Sequence, residues 1–224
     1  MTPIDALAQL GGDAAKAAEM PAYHKVDRPY LGVANPAIDA VVKGWRSEMD
    51  IDARLTLAAD LWDSNVHEGR VAAAKLLTQA RIRPDDTPAW DLICTWVPEF
   101  DTWTIADQVA VAGAKRLVAD PSRISALEDW VASEHMWTRR AVFMMTLPWT
   151  KLKHPKPAEL AVRDRIMGWA AQLVDDRDFM MQNAIAGWLR DLSKNDHDRV
   201  AQFIDMHGDL MKPFAVKEAS RHLG

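Results

Sequence analysis

The chain has 224 residues, 49% of them hydrophobic and 26% charged, with a net charge of −5. That length and balance describe a globular protein with a sizeable core and exclude a disordered chain. The acidic total argues against a non-specific nucleic-acid binder coated in positive charge, though it leaves a local basic face open.

Ala is abundant, β-branched runs are scarce and Asn-Gly or Asp-Gly turns are absent, which favours helices. Apolar residues at helical spacing predict a short first helix, broken by Gly11-Gly12, and a second over 13–20. Tyr23 to Val33 forms a connector. Asn35-Pro36 predicts a capped start for a helix running to about residue 48. Further helices are expected over 52–64, 68–80 and 88–97, the last closed by Pro98. A central helix follows over 102–119, with Asp101 or Thr102 as its cap. Ser122 is expected to cap a helix to 133, and another over 134–147 is stopped by Pro148. A basic loop, Lys151-Leu152-Lys153-His154-Pro155-Lys156-Pro157, precedes helices over 158–174, 178–193, 196–207 and 213–222.

The loops are short and nothing resembles a linker, so residues 1–224 are expected to form a single domain. Ala72, Ala141 and Ala184 each sit in a helix shortly after a polar turn, separated by 69 and 43 residues. Spacing of that order suits paired-helix repeats of the HEAT or armadillo type, with polar residues lining one side of a curve. A non-repeating bundle is the alternative. The fold class expected is therefore all-α, a HEAT-like/armadillo-type solenoid with a concave face.

No zinc-ligand spacing, Gly-rich phosphate loop or nucleophile elbow is present, and neither a metal nor a cofactor is expected. The single Cys94 lies in an apolar run and permits no internal disulfide. Met1-Thr2-Pro3-Ile4-Asp5 lacks the basic and apolar regions of a secretory leader. No stretch is apolar for the ~18 residues a membrane span needs. A cytoplasmic monomer is the expectation. Asp85-Asp86 and Asp175-Asp176 sit near helix starts and suit first-turn charges.

The chemistry-bearing stretch is the start of the central helix. Trp103 and Asp107 are four apart, hence neighbours on one helix face. An indole beside a carboxylate suits a cationic group, although a helix that buries a Trp and exposes an Asp one turn later gives the same pattern. Ten tryptophans are present. Trp45, Trp62, Trp90, Trp96, Trp130 and Trp169 have apolar neighbours and belong to a core. Trp103, Trp137, Trp149 and Trp188 do not fit that pattern as readily. Adjacent Arg139 and Arg140 point about 100° apart on a helix, so one can be solvated while the other faces a groove.

Taken together, these stretches resemble the AlkD-type DNA alkylation repair proteins over nearly the whole chain. The resemblance is carried by Met20-Pro21-Ala22-Tyr23 followed by Leu31-Gly32-Val33 and Pro36; Leu61-Trp62-Asp63; Thr102-Trp103 with Asp107; Trp130-Val131-Ala132-Ser133 with Trp137 and Arg140; Phe179 to Ile185 with Leu189-Arg190; and Lys217-Glu218-Ala219. It implies a helical-repeat DNA glycosylase acting in base excision repair on double-stranded DNA. Such an enzyme hydrolyses the N-glycosidic bond of cationic N3- or N7-alkylated purines without flipping the base. By the resemblance Asp107 is the catalytic carboxylate, Trp103 packs against the lesion's sugar and backbone, Arg140 lies near the phosphate backbone and Tyr23 near the DNA.

The chain departs from the family at Gly187, where a further DNA-facing tryptophan is usual. Trp188 is next to it and is the substitute candidate, about 100° around the helix. Thr102 replaces a frequent aromatic, and Ala37-Ile38-Asp39 replaces basic residues in the connector region. Two rivals follow: a non-catalytic relative that binds branched or bent DNA, and a helical-repeat scaffold for another protein.

Overall fold

A computed structural model describes residues 2–223. Every regular element among them is helical. The chain divides into two compact units, one ending at Ala119 and the next opening at Asp120.

The first unit holds α1 (Pro3–Ala8), α2 (Ala14–His24), α3 (Asn35–Glu48), α4 (Ile51–Asp63), α5 (His67–Leu76), α6 (Thr87–Trp96) and α7 (Trp103–Ala119). α5 is its axis and packs against α3, α4 and α7. The sequence of α5 explains this: Ala72, Ala73 and Ala74 are all fully buried, and small side chains let helices approach closely. Beside it Trp62 stacks on Trp96 with ring centroids 4.5 Å apart, and Phe100 closes the cluster. Trp62 donates its indole N–H to Glu99 at 2.9 Å, and Arg70 reaches the same carboxylate while lying 4.5 Å over the indole ring.

The second unit holds α8 (Leu127–Val131), α9 (Met136–Met145), α10 (Pro157–Gln172), α11 (Phe179–Ser193), α12 (His197–His207) and α13 (Pro213–Ala219). α11 is its core and packs against α9, α12 and α13. Arg163, 1% exposed, is buried without strain on hydrogen bonding: it donates to the carbonyls of Trp149 and Leu152 and to Asp196. Gln182 does the same, donating to the carbonyls of Val174 and Asp176 and accepting from the Lys212 amide.

Polar contacts recur at one sequence interval inside each unit. Trp62 to Glu99, Glu68 to Leu31 and Arg116 to Gln79 span 37 residues in the first, and Lys75 to Asp39 spans 36. Arg139 to Asp176 and Arg165 to Glu128 span 37 in the second. An interval this regular is what stacked helix-pair repeats produce, because equivalent helices of successive repeats lie side by side. Ala72, Ala141 and Ala184, the three positions singled out in the sequence, are all buried.

Several element boundaries differ from those expected. α2 continues through Pro21 to His24, since Pro21 lies inside a helix whose exposed faces tolerate the lost bond. Ala34, not Asn35, is the N-cap of α3, and it makes no side-chain cap. Residues 121–126 form a 3-10 turn before the short α8, and the cap there is Asp120, which accepts from the Ser122 amide at 3.0 Å. A further 3-10 turn, Leu147–Lys151, takes the start of the expected basic loop and buries Trp149. Trp45 and Trp130 are half-buried, not core.

Candidate functional site

α7 is fixed at both ends. Of the two residues proposed as its cap, Thr102 supplies the hydroxyl that accepts from the Ile105 amide at 3.4 Å. Asp101 instead forms an ion pair with Arg28, whose side chain is 2% exposed. At the far end Arg116, fully buried, pairs with Asp86 at 3.1 Å and donates to the Gln79 carbonyl. Asp86 is the N-cap residue of α6 but makes no side-chain cap bond; Asp85 makes the local turn by accepting from the Thr87 amide.

The connector before α3 is clamped to α5. Glu68, 4% exposed, accepts from the amides of Leu31 at 2.9 Å, Gly32 at 2.8 Å and Val33 at 3.3 Å. Gly32 has φ +70°, and a Cβ there would lie 2.2 Å from the Asp13 carbonyl oxygen, so both conformation and space demand glycine. Asp13 donates its amide to the Gly32 carbonyl at 3.1 Å and caps α2 by accepting from the amides of Ala15 and Lys16.

These ties create a cleft of about 380 Å³ in the first unit. α2 lines it with Lys16, Met20, Tyr23 and His24, α5 with His67, Glu68 and Val71, and α7 with Trp103, Thr104, Asp107 and Gln108. Trp103 is 42% exposed and Tyr23 62%, so both rings are available to a ligand. Tyr23 stands edge-on to His24 at 4.9 Å, and His24 stacks on His67 at 4.7 Å and on Tyr30 at 5.7 Å. The Nδ1 atoms of His24 and His67 are buried without a hydrogen-bond partner. Burial pushes the His67 pKa down to about 4, aided by His24 and Arg28; burial, then Arg28, lowers that of His24. Both imidazoles are therefore biased toward their neutral form. Glu68 spends its charge on three amides, and Asp107 is the cleft's other carboxylate.

Three sequence candidates thus meet in one cleft: Tyr23, Trp103 and Asp107. Arg140 and Trp188 belong to the second unit. Arg140 is 3% exposed with its guanidinium 5.6 Å from the centre of the Trp137 ring. Arg139, the other member of the pair, donates to the carbonyls of Ser133 and Glu134 and bonds Asp176. Trp188 is 1% exposed and lies in the core, so the expectation of a DNA-facing indole at 188 is corrected: one step along α11 turns the side chain from the surface into the interior. A Cβ on Gly187 would meet nothing within 4 Å, which leaves the outward position on that helix open. Sequence reasoning did not single out Lys16, His67 or Glu68. A signal existed for Lys16, since Lys16, Met20 and Tyr23 are spaced i, i+4, i+7 on one helix face; none existed for Glu68, whose partners are 35 to 37 residues away.

The fold and this cleft define an all-helical repeat protein with a carboxylate, an indole and a phenol lining one cleft. The model of the DNA alkylation repair enzyme family matches residues 4–223, and the chain belongs to that family. Among solved structures, one described as a predicted DNA alkylation repair enzyme from Enterococcus faecalis is similar with TM-score 0.78 and 20% identity, over 95% of this chain and 97% of that one. AlkD2 from Streptococcus mutans is similar with TM-score 0.61 and 17% identity, over 92% and 96%. The protein smu.31 from Streptococcus mutans UA159 gives TM-score 0.62 and 18% identity, over 84% and 92%. No curated protein sequence matches the chain. Among the described residues, no helix is long and apolar enough to cross a membrane.

Proposed function

We propose that the protein is a DNA glycosylase that hydrolyses the N-glycosidic bond of cationic N3- and N7-alkylated purines in duplex DNA, the first step of base excision repair. One observation carries this function: Asp107, Trp103 and Tyr23 line a single cleft, with both aromatic rings exposed. A purine alkylated at N3 or N7 bears positive charge and departs without a general acid. The sugar gains oxocarbenium character as the bond lengthens. Asp107 stabilises that charge and orients the attacking water. The exposed Trp103 face attracts the same cation by roughly 0.5–2 kcal/mol. The chemistry asks for no metal or cofactor, and a monomer suffices. Arg140, buried beside the Trp137 ring, is assigned to the phosphate backbone by the resemblance alone.

The experiment is release of 7-methylguanine and 3-methyladenine from methylated duplex DNA, with Asp107→Asn beside the wild type. Wild-type release that vanishes in the variant, with DNA binding retained, is the expected result. Equal release from both defeats the assignment of Asp107. The open Gly187 position favours a second reading, a non-catalytic relative that binds branched or bent duplex; DNA binding without base release from either protein would support it.

A further inference from the structure

α2 is an unusual helix for a compact unit. It has 11 residues and none of them is buried. Its placement comes from its ends. The Asp13 cap and the bond to Gly32 hold its start, and the stack of Tyr23, His24, Tyr30 and His67 holds its end. A helix pinned at both ends that adds nothing to the core presents its middle to something else. That middle is Lys16 and Met20, facing the cleft that holds Asp107.

Lys16 differs from the cations that are tied into ion pairs. Lys75 is paired with Asp39, Arg116 with Asp86, Arg139 with Asp176 and Arg163 with Asp196. Lys16 is exposed and forms no ion pair with any described residue. Its own backbone amide is held by Asp13 at 3.1 Å, so the root of the side chain is fixed while the ammonium is left to solvent. The remaining basic groups of the cleft are His24 and His67, both biased toward their neutral form by burial. The cleft thus combines an anion on α7 with a single cation across it on α2. A nucleotide with a cationic sugar and an anionic phosphate has the matching pair of charges.

Taking DNA as the ligand of this cleft, as above, we propose that Lys16 binds the backbone phosphate next to the nucleotide whose sugar faces Asp107, making it a positioning residue on α2. An ammonium is a compact point charge and suits one phosphate oxygen without the planar fork that Arg provides. A single phosphate contact contributes about 0.9 to the slope of log affinity against log salt.

The test is binding of a methylated duplex by wild type, Lys16→Gln and Lys16→Arg across a salt series, with base release at saturating protein measured alongside. Lys16→Gln is expected to reduce the magnitude of the salt slope by about 0.9. Its affinity should fall about 8-fold at 0.1 M salt and only about 2-fold at 0.5 M. Lys16→Arg should restore the slope. An unchanged slope in Lys16→Gln overturns the assignment, as does an affinity loss that is the same at all salt concentrations. The slope is read without any catalysis. A reduced slope with no base release from the wild type would therefore uphold Lys16 and remove the glycosylase activity. A wild type that binds no DNA removes both.

Discussion

Replacing Glu68 by Gln tests the clamp that holds the cleft together. The buried carboxylate accepts three amide bonds, with one oxygen taking Gly32 and Val33 and the other taking Leu31. Gln keeps the shape but converts one oxygen to an NH₂ group, which then faces an N–H donor. At least one charge-assisted bond is lost and a buried amide is left unsatisfied, a cost of about 2–3 kcal/mol. For a chain of this size that lowers the thermal midpoint by about 4–12 °C. The loss should be local first. Hydrogen exchange at Leu31, Gly32 and Val33 should accelerate before that at Val109 in the middle of α7, because the connector is anchored by Glu68 and α7 by Arg28 and Arg116. An unchanged midpoint together with unchanged protection at 31–33 would refute the view that Glu68 fixes the connector.

Gly187→Trp should fold normally, since a Cβ there meets nothing within 4 Å, and leaving glycine in a helix interior stabilises by roughly 0.3–0.5 kcal/mol; a thermal midpoint at or above wild type is expected. If the open position limits the glycosylase, the same variant should release methylated bases faster in the assay described above. His67 has a native pKa near 4 against an ordinary 6.5. Between these values the unfolded chain takes up a proton that the folded one excludes, so its contribution is complete above pH 6.5 and is lost as pH falls toward 4. The loss at pH 5 is about 2 kcal/mol, read as the difference in thermal midpoint between pH 5 and 7.5, and His67→Phe should flatten it.

Much of the architecture was legible in one dimension. The helical class follows from composition and from apolar spacing, and both operate locally. α3 over 35–48 and the closing of α7 at Ala119 emerged as expected because Pro36 and Asp120-Pro121 act on their own backbone. The facing of Trp103 and Asp107 also depends only on the pitch of one helix. What failed locally failed where a distant partner competed. Asp101 can cap α7, yet Arg28, 73 residues away, takes its carboxylate and leaves the cap to Thr102.

The opposite wall of the cleft was legible only at Tyr23 and in the helical spacing of Lys16, Met20 and Tyr23. Nothing near Glu68 in sequence says that its carboxylate grips three amides of the connector, and nothing near Lys16 says that α2 lies across from α7. These depend on a 36- to 37-residue interval that becomes visible only as contacts between stacked repeats. Trp188 makes the same point from the other side: composition and neighbours allowed it to face out, but the packing of α11 against α9, α12 and α13 turned it inward and left Gly187 at the surface. Sequence alone thus determined the helices and one face of α7, because both are set within a few residues. Tertiary structure decided which charges stay available, because burial and pairing are settled by groups that meet only after the chain has folded.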